Sequence, residues 1–89
     1  MIGDERGRLA AAIAAMAGVT VYPSEANFLL MRTPQGAATR WFRGLRDRGV
    51  LIKNLDGAHP LLHDCLRPTV GTPLENDALL TALAAVARG

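Results

Sequence analysis

The chain of 89 residues contains few of the residues on which several functional classes depend. It has one cysteine, so no internal disulfide can form, and this fits a reducing compartment. It has one lysine, one tryptophan, one tyrosine and two phenylalanines, so aliphatic side chains must fill the core. No apolar run approaches the roughly 20 residues that span a bilayer, and residues 1–8 are charged rather than signal-like. These absences predict a soluble, cytoplasmic protein with no membrane partner.

The residues that are present describe one small globular domain. Hydrophobic residues make up 49% of the chain and charged residues 20%, which excludes extensive disorder. The net charge of +2 comes from nine arginines and one lysine against eight acidic residues dispersed among them. Arg40, Arg43, Arg46 and Arg48 lie around a predicted helix with Asp47 among them, which is typical of a solvated face. No nucleic-acid partner is predicted.

Hydrophobic periodicity predicts helices that alternate with short strands. The first helix is expected to be capped by Asp4 and to extend to about Ala17, with Leu9, Ile13 and Met16 on one stripe. The next predicted elements are two strands, Val19 to Tyr22 and Ala26 to Arg32, between which Pro23 to Glu25 interrupt the pattern. They are followed by a helix from Ala37 to Arg48 and a strand from Val50 to Lys53. An eleven-residue connection, Asn54 to Asp64, then leads to a strand from Cys65 and a helix from Pro73 to about Ala87. This order predicts an α+β fold with a small, mostly antiparallel sheet of three to four strands packed with three helices.

The stretch from Cys65 to Asn76 carries the most specific local signals. Alternation on a strand places Arg67 on one face with Cys65 and Thr69, among short neighbours. Because arginine keeps its charge, it needs a carboxylate or a phosphate nearby, so an internal pair with Asp56 or Asp64 and an anionic ligand both remain open. Thr72 and Glu75 form a capping box around Pro73, which predicts the start of the last helix.

Other reactive residue types lack a supporting pattern. His59, His63, Asp64 and Cys65 are metal-capable and close in sequence, but Pro60 disfavours the helix that would align the two histidines, so a plain loop without metal is predicted. Cys65 is expected to be a small buried hydrophobe. Lys53 could in principle form a Schiff base after desolvation, but no other residue supports that role.

Four motifs in the chain occur together, in the same order, in one known family. They are Val21 to Leu30, Gly49 to Lys53, Gly57 to Leu62, and Cys65 to Arg67 with Thr69 to Thr72. Through these motifs the sequence from about Val19 to Val86 resembles the C-terminal small domain of histidinol-phosphate aminotransferases, which are pyridoxal-phosphate enzymes of the aspartate aminotransferase fold.

The resemblance implies that Arg67 binds the phosphate at the substrate's anionic end and that Lys53 assists it. Two positions depart from the family pattern, since Pro68 replaces a branched apolar residue and Lys53 replaces an arginine common in relatives. Pro68 therefore predicts that its strand lies at an edge or leaves that position unpaired.

The resemblance also implies what this chain does not contain. Residues 1–89 would be the small domain, while the catalytic residues and the pyridoxal-phosphate site would lie in a large domain absent from this chain. The full-length enzyme would be a homodimer in histidine biosynthesis, and the 89 residues alone would be inactive and bind no cofactor. The alternatives are the small domain of another class I/II aminotransferase and a standalone ligand-binding or interaction module.

Loss of contact with a large domain would affect the first helix. Leu9, Ile13 and Met16 are predicted to be exposed on the fragment and to drive self-association into a symmetric dimer. The competing outcome is that this alanine-rich helix folds back onto its own sheet.

Overall fold

The computed structural model describes residues 2–22 and 27–88, and their side chains from residue 5 onward. In this part of the chain the elements follow the predicted order and form an α+β domain, which confirms the predicted fold class. The elements are α1 (Ile2–Ala14), β1 (Thr20–Tyr22), β2 (Leu30–Arg32), α2 (Ala38–Asp47), β3 (Lys53–Asn54), a 3-10 helix (Pro60–Leu62), β4 (Cys65–Arg67) and α3 (Pro73–Arg88).

The sheet has the strand order β1-β2-β4-β3, and each neighbouring pair is antiparallel. Val21 lies opposite Met31, and Met31 lies opposite Leu66, so these three side chains share one face. Met31 and Leu66 are fully buried on this inner face. Because side chains alternate along a strand, the neighbouring residues Tyr22, Leu30, Arg67 and Lys53 form a row on the opposite, outer face.

The core lies between the inner face of the sheet and the helices. Leu9 and Ile13 of α1 are both 0% exposed, and Met16 packs half-buried against the same cluster. The prediction that these three residues form an exposed patch is therefore wrong, because α1 folds back and supplies its only large apolar stripe to the core of its own domain. Association of the fragment through this stripe has no structural basis.

The ends of α1 and the first two strands differ from the predicted boundaries. Asp4 does not cap α1, because the helix begins at Ile2 and Asp4 lies within it. The helix ends at Ala14 rather than near Ala17, and the chain then turns with Gly18 at a φ of 76°. Strand β2 covers only the end of the predicted span, although Phe28 forms an isolated bridge with Thr69. The predicted break at Pro23 to Glu25 lies outside the described residues.

The second half of the sheet also departs from prediction. Strand β3 begins at Lys53 rather than Val50, since the residues before it keep alternating exposure without entering the ladder. The connection from Asn54 to Asp64 was expected to be unstructured, but it contains the 3-10 helix.

Pro68 interrupts the pairing of two central strands rather than marking an edge. Strand β4 pairs on both sides, so it lies inside the sheet, and Pro68 follows its last residue. The Pro68 carbonyl accepts a hydrogen bond from the Leu29 N–H at 2.9 Å, but its nitrogen has no hydrogen to return. Pairing resumes at the bridge between Phe28 and Thr69. This agrees with the second of the two predicted outcomes, an unpaired position.

The capping box at the start of α3 is confirmed. The Glu75 N–H donates to Thr72 Oγ1 at 3.2 Å, and the Thr72 N–H donates to Glu75 Oε1 at 2.9 Å. Hydrogen bonding of the Glu75 carboxylate to Thr72, to its backbone first and its side chain second, lowers the pKa of Glu75. The start of α3 is thus fixed by local sequence.

A polar network joins α1 to α3. Glu5 accepts hydrogen bonds from the Arg8 guanidinium at 2.7 and 3.0 Å and from Asn76 Nδ2 at 3.1 Å. Arg8 also pairs with Asp77 of α3 at 2.9 Å. Bonding to Arg8, and then to Asn76, lowers the pKa of Glu5 to about 2. The first turns of the two helices are therefore linked by charge as well as by apolar contact.

Helices α2 and α3 approach closely at Gly44. A Cβ atom at this position would lie 2.5 Å from Val86 Cγ1, which is closer than real Cβ contacts. Beside it, Arg40 Nη1 donates to the Val86 carbonyl at 3.1 Å. Val86 is 5% exposed, so Gly44 provides the space that this core side chain occupies. Among the described helices, none is long and apolar enough to cross a membrane.

Candidate anion-binding face

Two cations face one another on the outer face of the sheet. Lys53 of β3 and Arg67 of β4 are direct partners in the antiparallel register, so their side chains emerge side by side. Lys53 is exposed and Arg67 is half-buried. Like charges placed directly opposite one another on a sheet are destabilising unless a counter-charge lies between them. The pair therefore concentrates two positive charges at one place on the outer face.

The carboxylates that could have neutralised Arg67 are engaged elsewhere. Asp56 Oδ1 accepts the Asp64 N–H at 2.9 Å, and Asp64 Oδ2 accepts the Gly36 N–H at 3.1 Å. Among the described side chains, residues 5–22 and 27–88, no carboxylate forms an ion pair with Arg67 or Lys53. The internal pair with Asp56 or Asp64, which the sequence left open, is not formed.

Arg67 instead stacks on an aromatic ring. Its Cζ atom lies 4.6 Å from the centroid of the Phe28 ring. Phe28 lies on the same outer face, and its bridge to Thr69 fixes its backbone beside β4. A guanidinium on a ring face is held by cation–π attraction, which leaves the N–H groups in its own plane available.

A second arginine on the same face has a different environment. Arg32 donates to the Tyr22 hydroxyl at 2.6 Å, to the Leu61 carbonyl at 2.6 Å and to the His63 carbonyl at 3.1 Å. It thereby ties the 3-10 helix across the end of the sheet, where Cys65 is fully buried. The hydrogen bonds of Arg32 therefore stabilise the fold, so Arg32 and Arg67 differ in role although they lie on the same face.

His59 and His63, the metal-capable histidines near Cys65, contact backbone groups of the 3-10 helix. His59 Nδ1 accepts the Leu61 N–H at 3.1 Å and so caps the 3-10 helix, and His63 Nδ1 lies 3.0 Å from the Pro60 carbonyl. In the part of the chain that the structure describes, no group of three or more histidine, cysteine or acidic side chains is arranged around a metal position.

The described residues do not fit pyridoxal phosphate. Such a site needs, besides an amine, groups that hold the ring nitrogen and the cofactor phosphate. Lys53 is exposed on an edge strand, and its register partner is a cation rather than an acid. Two hollows of about 340 and 500 Å³ lie at the start of α3, but neither is lined by Lys53 or Arg67. Neither of these two hollows therefore contains the cation pair.

Two contributing residues are not singled out by the sequence. The position of Phe28 beside Arg67 follows from the pairing register, which alternation alone does not provide. Arg32 lies in a predicted strand, but two of its acceptors lie about 30 residues away. Asp64, a possible partner of Arg67 in the sequence, instead adopts a φ of 61°, a conformation in which aspartate is enriched.

Comparison with known proteins gives a consistent result. The sequence is 56% identical over 79 residues to a histidinol-phosphate aminotransferase of Methylibium petroleiphilum, covering 89% of this chain and 21% of that protein. It is 57% identical over 81 residues to histidinol-phosphate aminotransferase 2 of Cupriavidus pinatubonensis, covering 91% of this chain and 22% of that protein. This chain is homologous to a segment of the histidinol-phosphate aminotransferases.

A solved structure supports the fold of this histidinol-phosphate aminotransferase segment. The histidinol-phosphate aminotransferase of Clostridium acetobutylicum superposes with a TM-score of 0.87 at 22% identity, over 98% of this chain and 26% of that chain. At that identity the likeness shows the fold alone. No family model matches the sequence. The chain spans about a fifth of the length of the relatives it matches, so their activity belongs to proteins several times longer.

Proposed function

We propose that this chain is the C-terminal small domain of a histidinol-phosphate aminotransferase, in which Arg67 and Lys53 bind the substrate phosphate. The complete enzyme would transfer an amino group between glutamate and imidazole-acetol phosphate in histidine biosynthesis. The observation that carries the proposal is the cross-strand pair of Lys53 and Arg67, which has no carboxylate partner among the described side chains.

The chemistry of the two cations suits a phosphate monoester. Such a group carries a charge of about −1.5 to −2 at pH 7 and three acceptor oxygens. The planar fork of Arg67 can bind two of these oxygens, and the Lys53 ammonium supplies a point charge beside them. A bound phosphate would also remove the repulsion between the two cations, so binding and local stability are coupled.

The rest of the enzyme would complete the site. Lys53 is exposed on the outer face of this domain, and the chain covers about a fifth of each of the two aminotransferases compared with it. We infer that a large domain closes over this face, holds pyridoxal phosphate and forms the homodimer in the cytoplasm. Pyridoxal phosphate would supply the electron sink for amino-group transfer, and residues 1–89 would supply the substrate's anion contact.

Kinetics of the full-length protein test this role. Arg67→Ala should lower kcat/KM for histidinol phosphate by a factor of about ten or more, since a hydrogen bond to a charged group contributes about 1.5–3 kcal/mol. Affinity for pyridoxal phosphate should stay constant. Arg46→Ala is the matched control, because Arg46 is exposed on α2 and has only its neighbour Asp47 at 3.9 Å as an ion-pair partner.

The choice of substrates separates the proposal from its alternatives. Dephosphorylated histidinol should react equally poorly with the unsubstituted protein and with Arg67→Ala, because the lost contact is to phosphate. Unchanged kinetics of Arg67→Ala with histidinol phosphate would refute the assignment. Faster turnover of another phosphorylated or carboxylated amino compound would identify a related aminotransferase, and absence of transamination would favour a standalone binding module.

A further inference from the structure

We infer that Phe28 is a positioning residue that pre-orders the Arg67 guanidinium for an incoming phosphate. The inference rests on the proposed function of Arg67 and adds to it the residue that prepares the site. The inference gives Phe28 no contact with the anion itself. The Arg67 Cζ atom lies over the Phe28 ring, 4.6 Å from the ring centroid.

The two arginines of the outer face provide an internal comparison. Arg32 also lies near a ring, at 5.3 Å from the Tyr22 centroid, but its N–H groups are consumed by the Tyr22 hydroxyl and two backbone carbonyls. Arg67 has its ring contact and no hydrogen-bond acceptor among the residues that the structure describes. The Phe28 ring therefore restrains the Arg67 side chain without using its N–H groups, which stay available as donors.

This support is specific to an aromatic side chain. A carboxylate at position 28 would hold the guanidinium through its N–H fork and compete directly with phosphate. An aliphatic residue would leave the long arginine side chain to sample many rotamers, and ordering it would then oppose binding. The ring restrains the guanidinium without accepting a hydrogen bond from its fork, so the N–H donors stay available to an incoming anion.

The experiment uses the 89-residue chain with inorganic phosphate as the probe. The Nε–Hε signal of Arg67, assigned by its loss in Arg67→Lys, reports both side-chain order and phosphate binding in titrations at constant ionic strength. Phe28→Leu should increase the mobility of this group and weaken phosphate binding by about 2- to 10-fold. Phe28→Tyr keeps the ring and should restore both values.

Phe42→Leu is the matched control for general loss of packing. Phe42 lies half-buried on α2 and packs against the core, so the same chemical change occurs away from the outer face. It should leave the mobility of Arg67 and its phosphate affinity unchanged, even if the melting temperature falls. A similar loss of affinity in Phe42→Leu would overturn the inference, because it would make the effect one of stability.

The remaining outcomes are distinct. Unchanged Arg67 mobility in Phe28→Leu overturns the positioning role whatever phosphate does. Increased mobility with unchanged affinity overturns it as well, because order would then not assist binding. If the unsubstituted chain shows no phosphate binding that depends on Arg67, the inference is overturned, while the kinetics of Arg67→Ala in the full-length protein still decide the proposed function.

Discussion

Because α2 and α3 approach closely at Gly44, replacing this glycine by alanine should change the stability of the domain in two opposing ways. Replacing glycine by alanine within a helix adds about 1 kcal/mol of stability through propensity. At Gly44 the new methyl group would lie 2.5 Å from Val86 Cγ1. Overpacking of a core costs about 1–3 kcal/mol. We therefore expect Gly44→Ala to lower the free energy of unfolding by up to about 2 kcal/mol.

Gly7→Ala measures the gain in helix propensity without the steric clash. Gly7 lies within α1, is exposed, and has no heavy atom within 4 Å of the position its Cβ would take. It should gain the propensity of alanine without a clash, by about 1 kcal/mol or less. The two variants carry the same chemical change, so the clash should separate their melting temperatures by at least about 4 °C.

Urea unfolding followed by fluorescence measures this difference. Trp41 is the one tryptophan and is 2% exposed on α2, so its emission reports loss of the packing in question. Val86→Ala supplies a further test, because removing Cγ1 should make Gly44→Ala less harmful in the double variant than alone. Val86 is β-branched and stiff in a helix, so it cannot easily rotate away.

The reasoning would be refuted by a simple result. If Gly44→Ala gains as much stability as Gly7→Ala, α3 can move away from α2 at no cost. Glycine at this position would then have no packing role.

Three further predictions concern acid stability, backbone conformation and the cofactor. Since the folded pKa of Glu5 is about 2, below its ordinary value of 4.5, its stabilisation is present above pH 4.5 and lost as pH falls towards 2. Glu5→Gln should reduce that acid dependence in urea titrations at pH 2–6, and an unchanged pH profile would contradict the network. Asp64→Ala should unfold more easily than Asp64→Asn by about 1 kcal/mol, because alanine tolerates a φ of 61° poorly; equal urea midpoints would count against this. The 89-residue chain should show no saturable absorbance change with pyridoxal phosphate, and a band abolished by Lys53→Ala would overturn the fragment proposal.

Elements whose contacts lie within one short segment could be predicted from the sequence. The Thr72 and Glu75 capping box involves residues three apart, so its hydrogen bonds follow from one short segment. The helix predicted from Ala37 to Arg48 likewise matches α2, on which Trp41 and Leu45 are buried. These predictions needed no knowledge of distant partners.

Other features depend on partners that sequence does not locate. Asp4 looked like a cap because its residue type suits one, but α1 begins before it. The exposure of Leu9 and Ile13 was wrong because a helix with a single apolar stripe can cover its own sheet. Strand register brought Lys53 opposite Arg67, and neither residue alone indicates that pairing. The resemblance implies that both residues bind the substrate phosphate, and the register shows that they are neighbours across two strands.

The layering of the domain has a consequence for how its ligand preference can evolve. Helices α1, α2 and α3 share a core with the inner face of the sheet, so Lys53 and Arg67 on the outer face lie apart from the side chains of that core. Substitutions of these two residues would leave Met31, Leu66 and Trp41 in place. Under the proposed function, a lineage carrying this domain could therefore exchange one anion for another without first acquiring compensating changes in packing.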